Sequence, residues 1–255
     1  MPLLRHRTGL KRAPPAAHSR LFACAPSPVA LPPAPAQFGN DPFPDGWGML
    51  GNAGAGDCTI AGLMHAIMDW RKLNGQTVDF TELDALDDYS AVLKLSGQPQ
   101  GYVPGDPSTD TGCDMMEVAH YAKQTGLRDR TDTRYKIANF ASIEGSDRGD
   151  PVLAHVYCCA YLFGACGIGV ALSDANEEQF ERGETWTPDR SADEYHFVPV
   201  VARGPQGLGI VTWGKGPDWP GCWLSENFFQ QNCREAIAYL HDASDPNASL
   251  FAEAA

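Results

Sequence analysis

The chain holds one thiol and one imidazole whose surroundings suit nucleophilic chemistry. Cys58 follows the glycine-rich run Gly51-Asn52-Ala53-Gly54-Ala55-Gly56-Asp57 and opens a stretch of helical periodicity that continues to about Leu73. A cysteine at a helix N-terminus faces free backbone N–H groups and the positive end of the helix dipole. Both favour the thiolate, which is the nucleophilic form. His196 lies far downstream in Tyr195-His196-Phe197-Val198-Pro199-Val200, at the start of a β-prone run. An imidazole there can serve as the base that a thiol needs. The glycine-rich run has rival readings. Gly51 and Gly56 have the first spacing of a phosphate-binding loop, but Asp57 stands where that loop needs a lysine and would repel an anion. A dinucleotide fingerprint needs a preceding strand and other glycine intervals. The remaining alternative is a buried Cys58 that merely packs, as free cysteines commonly do.

The elements that must position these residues are legible from periodicity. From Cys58, the residues Ile60, Leu63, Met64, Ile67 and Met68 recur at three and four, one face of a helix that Asn74-Gly75 ends. Asp57 stands at its cap, and His65, two turns along, reads as structural. A second helix is predicted from about Thr81 to Leu95, with Leu83, Leu86, Tyr89, Val92 and Leu93 inward. After a Gly- and Pro-rich loop comes a third, Cys113 to Thr125, closed by Gly126; Asp110 either caps it or binds nothing. Asp150-Pro151 starts a fourth, as cap and first-turn proline, running to Phe163. The pattern then changes to short runs rich in Val, Ile and aromatic residues: Cys166 to Leu172, Tyr195 to Ala202, Gly207 to Trp213 and Glu235 to Leu240. These read as strands, and the acidic stretch Ser173 to Asp193 as a surface loop. Helices first and strands later indicate an α+β chain.

Composition bounds the rest. With 255 residues and 43% hydrophobic content, the chain can bury a full core without disulfides. Its eight cysteines show no C-x-x-C pair and no zinc-ligand spacing, so they read as reduced, buried thiols, and no metal or cofactor is implied. Residues 1–40 form a basic, Pro- and Ala-rich arm with Arg5, Arg7, Lys11, Arg12 and Arg20 and no acid, leaving a net of −18 on the remainder. So acidic a body should not bind nucleic acid through its own surface. The arm cannot hold a helix and alone should be disordered or extended. It lacks the continuous apolar core of a signal peptide, and no segment approaches the roughly 20 apolar residues that span a membrane.

Taken in order, a thiol on a helix, a histidine opening a strand, and Val211-Thr212-Trp213-Gly214 after the next strand resemble the papain-like cysteine peptidase superfamily, in a divergent form of bacterial or phage type. Thr111-Gly112-Cys113, entering a helix that ends Thr125-Gly126-Leu127, is similar to the family's Gly-rich entry to its next helix. The likeness spans roughly Asn52 to Leu240 as spaced short motifs. It implies a helical part (about 52–163) carrying the cysteine and an antiparallel sheet part (about 164–240) carrying the histidine, within a body of residues 41–240 and before a tail of residues 241–255. By the same resemblance Cys58 is the nucleophile and His196 the general base. Asn52 takes the position of the family's oxyanion-binding glutamine, six residues before the cysteine, with the Cys58 N–H as second donor. Trp213 and Gly214 support through packing and turn geometry. The family orients its histidine with an asparagine where this chain has Val211, which cannot accept the ring N–H, leaving Thr212 or a residue from elsewhere to do so. A charged Asp57 would oppose thiolate formation.

The resemblance thus implies a thiol hydrolase that cuts a peptide or isopeptide bond of a peptide or protein substrate, with no cofactor. The alternative is a papain-fold assembly protein, such as a bacteriophage virion component, that binds neighbouring subunits through residues 1–40. The corresponding locations are cytoplasm or virion.

Overall fold

The computed structural model describes residues 8–11, 33–39, 43, 46–143 and 151–248. Cys24, Asp150 and most of the basic arm lie outside the described residues. In chain order the elements are β1 (Leu10–Lys11), α1 (Cys58–Leu73), α2 (Glu82–Leu95), β2 (Cys113–Asp114), α3 (Met115–Gln124), β3 (Leu127–Arg128), β4 (Arg134–Tyr135), β5 (Asn139–Ser142), α4 (Leu153–Phe163), β6 (Cys166–Leu172), α5 (Asp174–Glu181), β7 (Glu194–Gly204), β8 (Gly207–Ile210), β9 (Trp223–Leu224), α6 (Glu226–Asn232) and β10 (Cys233–Leu240). Six strands form one sheet in the order β5-β10-β6-β7-β8-β9. Every pair in it is antiparallel.

Helix α1 is more deeply placed than its apolar stripe requires. Cys58 through Asp69 are all buried, so three turns are covered on every side. The face opposite Ile60, Leu63, Met64 and Ile67 carries Gly62, and there the helix lies on β7. A Cβ built on Gly62 would fall 2.5 Å from the Phe197 ring and 3.3 Å from Pro199. The other side of that ring is equally close, since a Cβ on Gly167 of β6 would fall 2.4 Å from it. Phe197 is therefore held between two glycines.

Strand alternation divides β7 between two cores. Phe197 and Val201 join α1, α2 and α3 in one hydrophobic cluster. Val198 and Val200 join β6, Trp186, Trp213 and residues of α4 and α6 in the other. Helix α4, within the helical part by sequence, packs on this second cluster because Val156, Tyr157, Cys159, Ala160 and Phe163 make most of its surface apolar. It starts at Leu153 with Val152 at the cap position, so Pro151 precedes the first turn rather than occupying it.

Other sequence expectations change in detail. Thr81 caps α2 through a reciprocal box with Asp84. Leu83 is 67% exposed rather than inward. It lies about a third of a turn round the helix from Tyr89, off the buried stripe. The stretch predicted as a loop from Ser173 carries α5, which Asn176 Oδ1 anchors by accepting from the Ser173 N–H at 3.2 Å. The buried Phe180 holds α5 to the body. The third helix begins at Met115, because Cys113 and Asp114 are taken into parallel pairing with Leu10 and Lys11. Strand β8 stops at Ile210, because Thr212 to Lys215 form a tight hairpin turn. The described pieces of the arm lie on the chain's own body. Beyond the β1–β2 pair, Phe38 and Arg203 exchange backbone hydrogen bonds at 3.1 and 2.9 Å.

The close docking of α1 on β7 yields a stability prediction. Gly62→Ala improves helix propensity but forces a methyl into the Phe197 ring. Urea denaturation should show a loss of about 1–3 kcal/mol. A gain would show that the contact is slack.

Candidate active site

Cys58 occupies the first position of α1 and is 1% exposed. The backbone N–H groups of Phe197, Gly9 and Thr59 favour its thiolate. Cys58 shares the lining of one cavity with Phe197, the residue that follows His196 in β7. Burial dominates its titration and pushes the pKa up to about 12 despite those three amides. The helix-terminus effect expected from the sequence is outweighed by desolvation, and in this state Cys58 is a thiol.

His196 is likewise 1% exposed. Its Nε2 is 2.8 Å from Thr212 Oγ1, and its ring stacks on Trp213 with centroids 4.8 Å apart and planes 21° from parallel. Both contacts come from one turn. Thr212 N–H donates to Lys215 O and Lys215 N–H to Thr212 O, while the two central residues, Trp213 and Gly214, have φ of +44° and +72°. Two positive φ values mark the primed turns that close two-residue hairpins. Glycine adopts this backbone freely, whereas tryptophan does so at a cost of about 1–3 kcal/mol. The turn thereby lays the indole on the imidazole and points the threonine hydroxyl at its edge.

Asn52 is buried, and its Nδ2 donates to Ala55 O and Asp57 Oδ1, each at 3.3 Å. Asp57 stands at the N-cap position of α1 but makes no side-chain capping bond, a correction to its expected role. The carboxyl turns back on Asn52 instead and is fully buried. Burial raises its pKa well above the carboxylate range, holding it toward the neutral form that repels no thiolate. Cys58, Asn52, Phe197, Thr212 and Trp213 line one small cavity of about 10 Å³. That is room for about one water molecule. His65 closes its side; its Nε2 donates to both Trp47 O and Gly48 O at 3.0 Å, which fixes the tautomer.

Asp110 neither caps the third helix nor stands idle. Its Oδ1 accepts from Gly56 N–H and from Tyr89 Oη, each at 2.8 Å, and Tyr89 Oη accepts from Gly112 N–H at 2.8 Å. One carboxylate and one phenol thus tie the loop before Cys58 to the strand of Cys113. The cap of α3 is Asp114, whose Oδ1 accepts from Met116 and Glu117 N–H. Sequence reasoning missed the Tyr89–Asp110 pair because a tyrosine on a buried helix stripe reads as packing.

No family model and no curated protein matches the sequence. Solved structures do match. Xylellain, a cysteine protease from Xylella fastidiosa, superposes with a TM-score of 0.62 over 95% of this chain and 100% of its own, at 16% identity. Digestive procathepsin L 3 from the larval midgut of Tenebrio molitor gives 0.58 over 92% of this chain and 76% of its own, at 13% identity. The Carica candamarcensis cysteine protease CMS1MS2, solved in complex with E-64, gives 0.51 over 82% of this chain and 99% of its own, at 14% identity.

The chain has a papain-like fold. Its sheet and helices match those of cysteine proteases across nearly the whole chain, although at 13–16% identity the match is one of backbone rather than of sequence. Among the described residues of this papain-like chain, no group of three or more His, Cys, Asp or Glu is placed to hold a metal ion. Among the described residues, seven cysteines, Cys58 included, are buried and form no disulfide. No helix among the described residues is long and apolar enough to cross a membrane.

His65 makes the site sensitive to acid. Burial lowers its pKa to about 4 from an ordinary 6.5, so it is neutral in the fold while the unfolded chain takes up a proton as pH falls below 6.5. Its contribution to stability is present above pH 6.5 and is lost as pH falls toward 4, amounting to about 3 kcal/mol. Urea midpoints at pH 7 and pH 4.5 should fall further apart in wild type than in His65→Gln. Equal pH dependence would mean that His65 is protonated without penalty.

Proposed function

We propose that the protein is a cysteine peptidase-type amide hydrolase in which Cys58 attacks the carbonyl carbon of a peptide or isopeptide bond. The observation that carries this reading is the His196–Thr212–Trp213 arrangement, set beside a cysteine at a helix N-terminus in a papain-like fold. A buried imidazole with one nitrogen held by a hydroxyl and one face covered by an indole is oriented for proton transfer from its other edge.

In the proposed reaction His196 Nε2–H donates to Thr212 Oγ1, which fixes the tautomer whose Nδ1 takes the Cys58 proton. Thr212 stands in for the amide side chain expected to hold the ring. The thiolate adds to the carbonyl carbon, and the oxyanion is received by the Cys58 N–H at the start of α1 and by Asn52 Nδ2. The two bonds of Asn52 are long, at 3.3 Å, so a substrate oxygen can compete for one of its hydrogens. The imidazolium then protonates the departing amine, and water, deprotonated by His196, hydrolyses the thioester and restores the thiol.

A library of fluorogenic peptides tests this reading. Cys58→Ala should abolish hydrolysis. Thr212→Val, which keeps the shape of the side chain but removes the hydroxyl, should lower kcat by about 10²-fold with a smaller effect on KM. Hydrolysis that survives Cys58→Ala would end the proposal.

A further inference from the structure

Helix α1 carries two buried side chains toward one cavity. Cys58 and His65 stand seven residues apart, about two turns, so both leave the same face of the helix. Both line the cavity together with Thr212 and Trp213. His65 is 2% exposed, and its Nε2–H is shared between Trp47 O and Gly48 O, at 3.0 Å from each. Its ring also meets the Trp47 ring edge to face, with centroids 5.9 Å apart and planes 88° from parallel. Two carbonyls of consecutive residues on one donor fix both the distance and the direction of the strap formed by residues 47–49.

That strap is in turn seated on the turn of Thr212 to Lys215. Gly48 forms an antiparallel bridge with Gly214, one of the turn's two central residues. A Cβ on Gly214 would press on Met49 N at 3.3 Å, and one on Gly216 would fall 2.0 Å from Trp47 Nε1. The Trp47 indole thus lies directly on the backbone that leaves the turn. The strap also runs on into the loop of Asn52, whose backbone N–H donates to Met49 O at 3.1 Å. A non-glycine residue with positive φ, as Trp213 is, keeps that backbone only where its surroundings over-determine it. The bridge to the strap and the stacking of Trp213 on His196 supply that constraint.

We propose that His65 is a positioning residue for His196. Its N–H fixes the strap, the strap fixes the turn, and the turn holds the imidazole of His196 by the Thr212 hydroxyl and the Trp213 face. Because one helix carries both His65 and Cys58, the same contact refers the position of His196 to that of the thiol. The catalytic value of that coupling rests on the peptidase reading, but the coupling itself does not.

The test combines imidazole NMR with fluorogenic peptide hydrolysis in full-length His65→Leu, His65→Gln and Gly216→Ala, the His196 signals being assigned by their loss in His196→Gln. In wild type the His196 ring protons lie over an indole face and are shifted upfield by its ring current. In His65→Leu, which cannot donate to the strap, they should move toward ordinary histidine positions, and kcat should fall about tenfold or more with little change in KM. His65→Gln, whose amide N–H can reach the same carbonyls, should return both readouts toward wild type, whereas a side chain that only packs would be replaced as well by leucine. Gly216→Ala drives Trp47 off the turn without altering α1; it should produce the same shift, and it carries the test if His65→Leu does not fold. Unchanged His196 signals in folded His65→Leu, or in Gly216→Ala where His65→Leu does not fold, overturn the proposal, as does glutamine performing no better than leucine. Shifted signals with no peptide hydrolysed by any form would uphold the coupling and remove the peptidase reading. Hydrolysis that depends on Cys58, with His196 signals and kcat unchanged in His65→Leu, would overturn the coupling and leave the peptidase reading standing.

Discussion

The seat of Phe197 between Gly62 and Gly167 sets the geometry on which the rest depends. A phenyl ring with no Cβ on either side lets helix α1 approach strand β7 far more closely than two ordinary side-chain layers permit. That approach brings Cys58 and Phe197 to the lining of one cavity. Because β7 alternates, fixing Phe197 toward the helix also sets the ring of the preceding residue, His196, against Trp213. One packing contact therefore registers two elements that are remote in sequence.

The second constraint is electrostatic. Nearly every polar group near the thiol is buried, and desolvation wins over each local stabiliser. It raises Cys58 despite three amides, raises Asp57 despite Asn52, and lowers His65 despite two carbonyl partners. A site so dry is arranged for neutral groups at rest.

Much of this was legible in the residues. The apolar spacing of α1 and its Asn74-Gly75 end agree with the observed Cys58–Leu73, and Cys166–Leu172 coincides with its predicted strand, because both are long runs with one strong period. Thr212 was legible as one option for holding the histidine, since only its hydroxyl lies between Val211 and Trp213. Other features were hidden. Helix α5 was masked by its acidic composition, and Leu83 looked apolar enough to bury. Asp57 has the residue type of a cap, yet its carboxyl turns to Asn52 because the loop folds back over it.

What the sequence determined by itself was the order of elements and the chemical types available: a thiol opening a helix, a histidine opening a strand, and a Thr-Trp-Gly turn after the next strand. Those follow from local periodicity and turn chemistry, which depend on neighbours within a few residues. The tertiary structure alone decided the rest. It set Thr212 at 2.8 Å from His196 and joined Gly56 to Gly112 through Asp110 and Tyr89. These are contacts between residues 16 to 54 apart in sequence, and no local propensity encodes them. They arise because close packing in two shared cores leaves one arrangement in which the glycines meet backbone and the buried polar atoms meet each other.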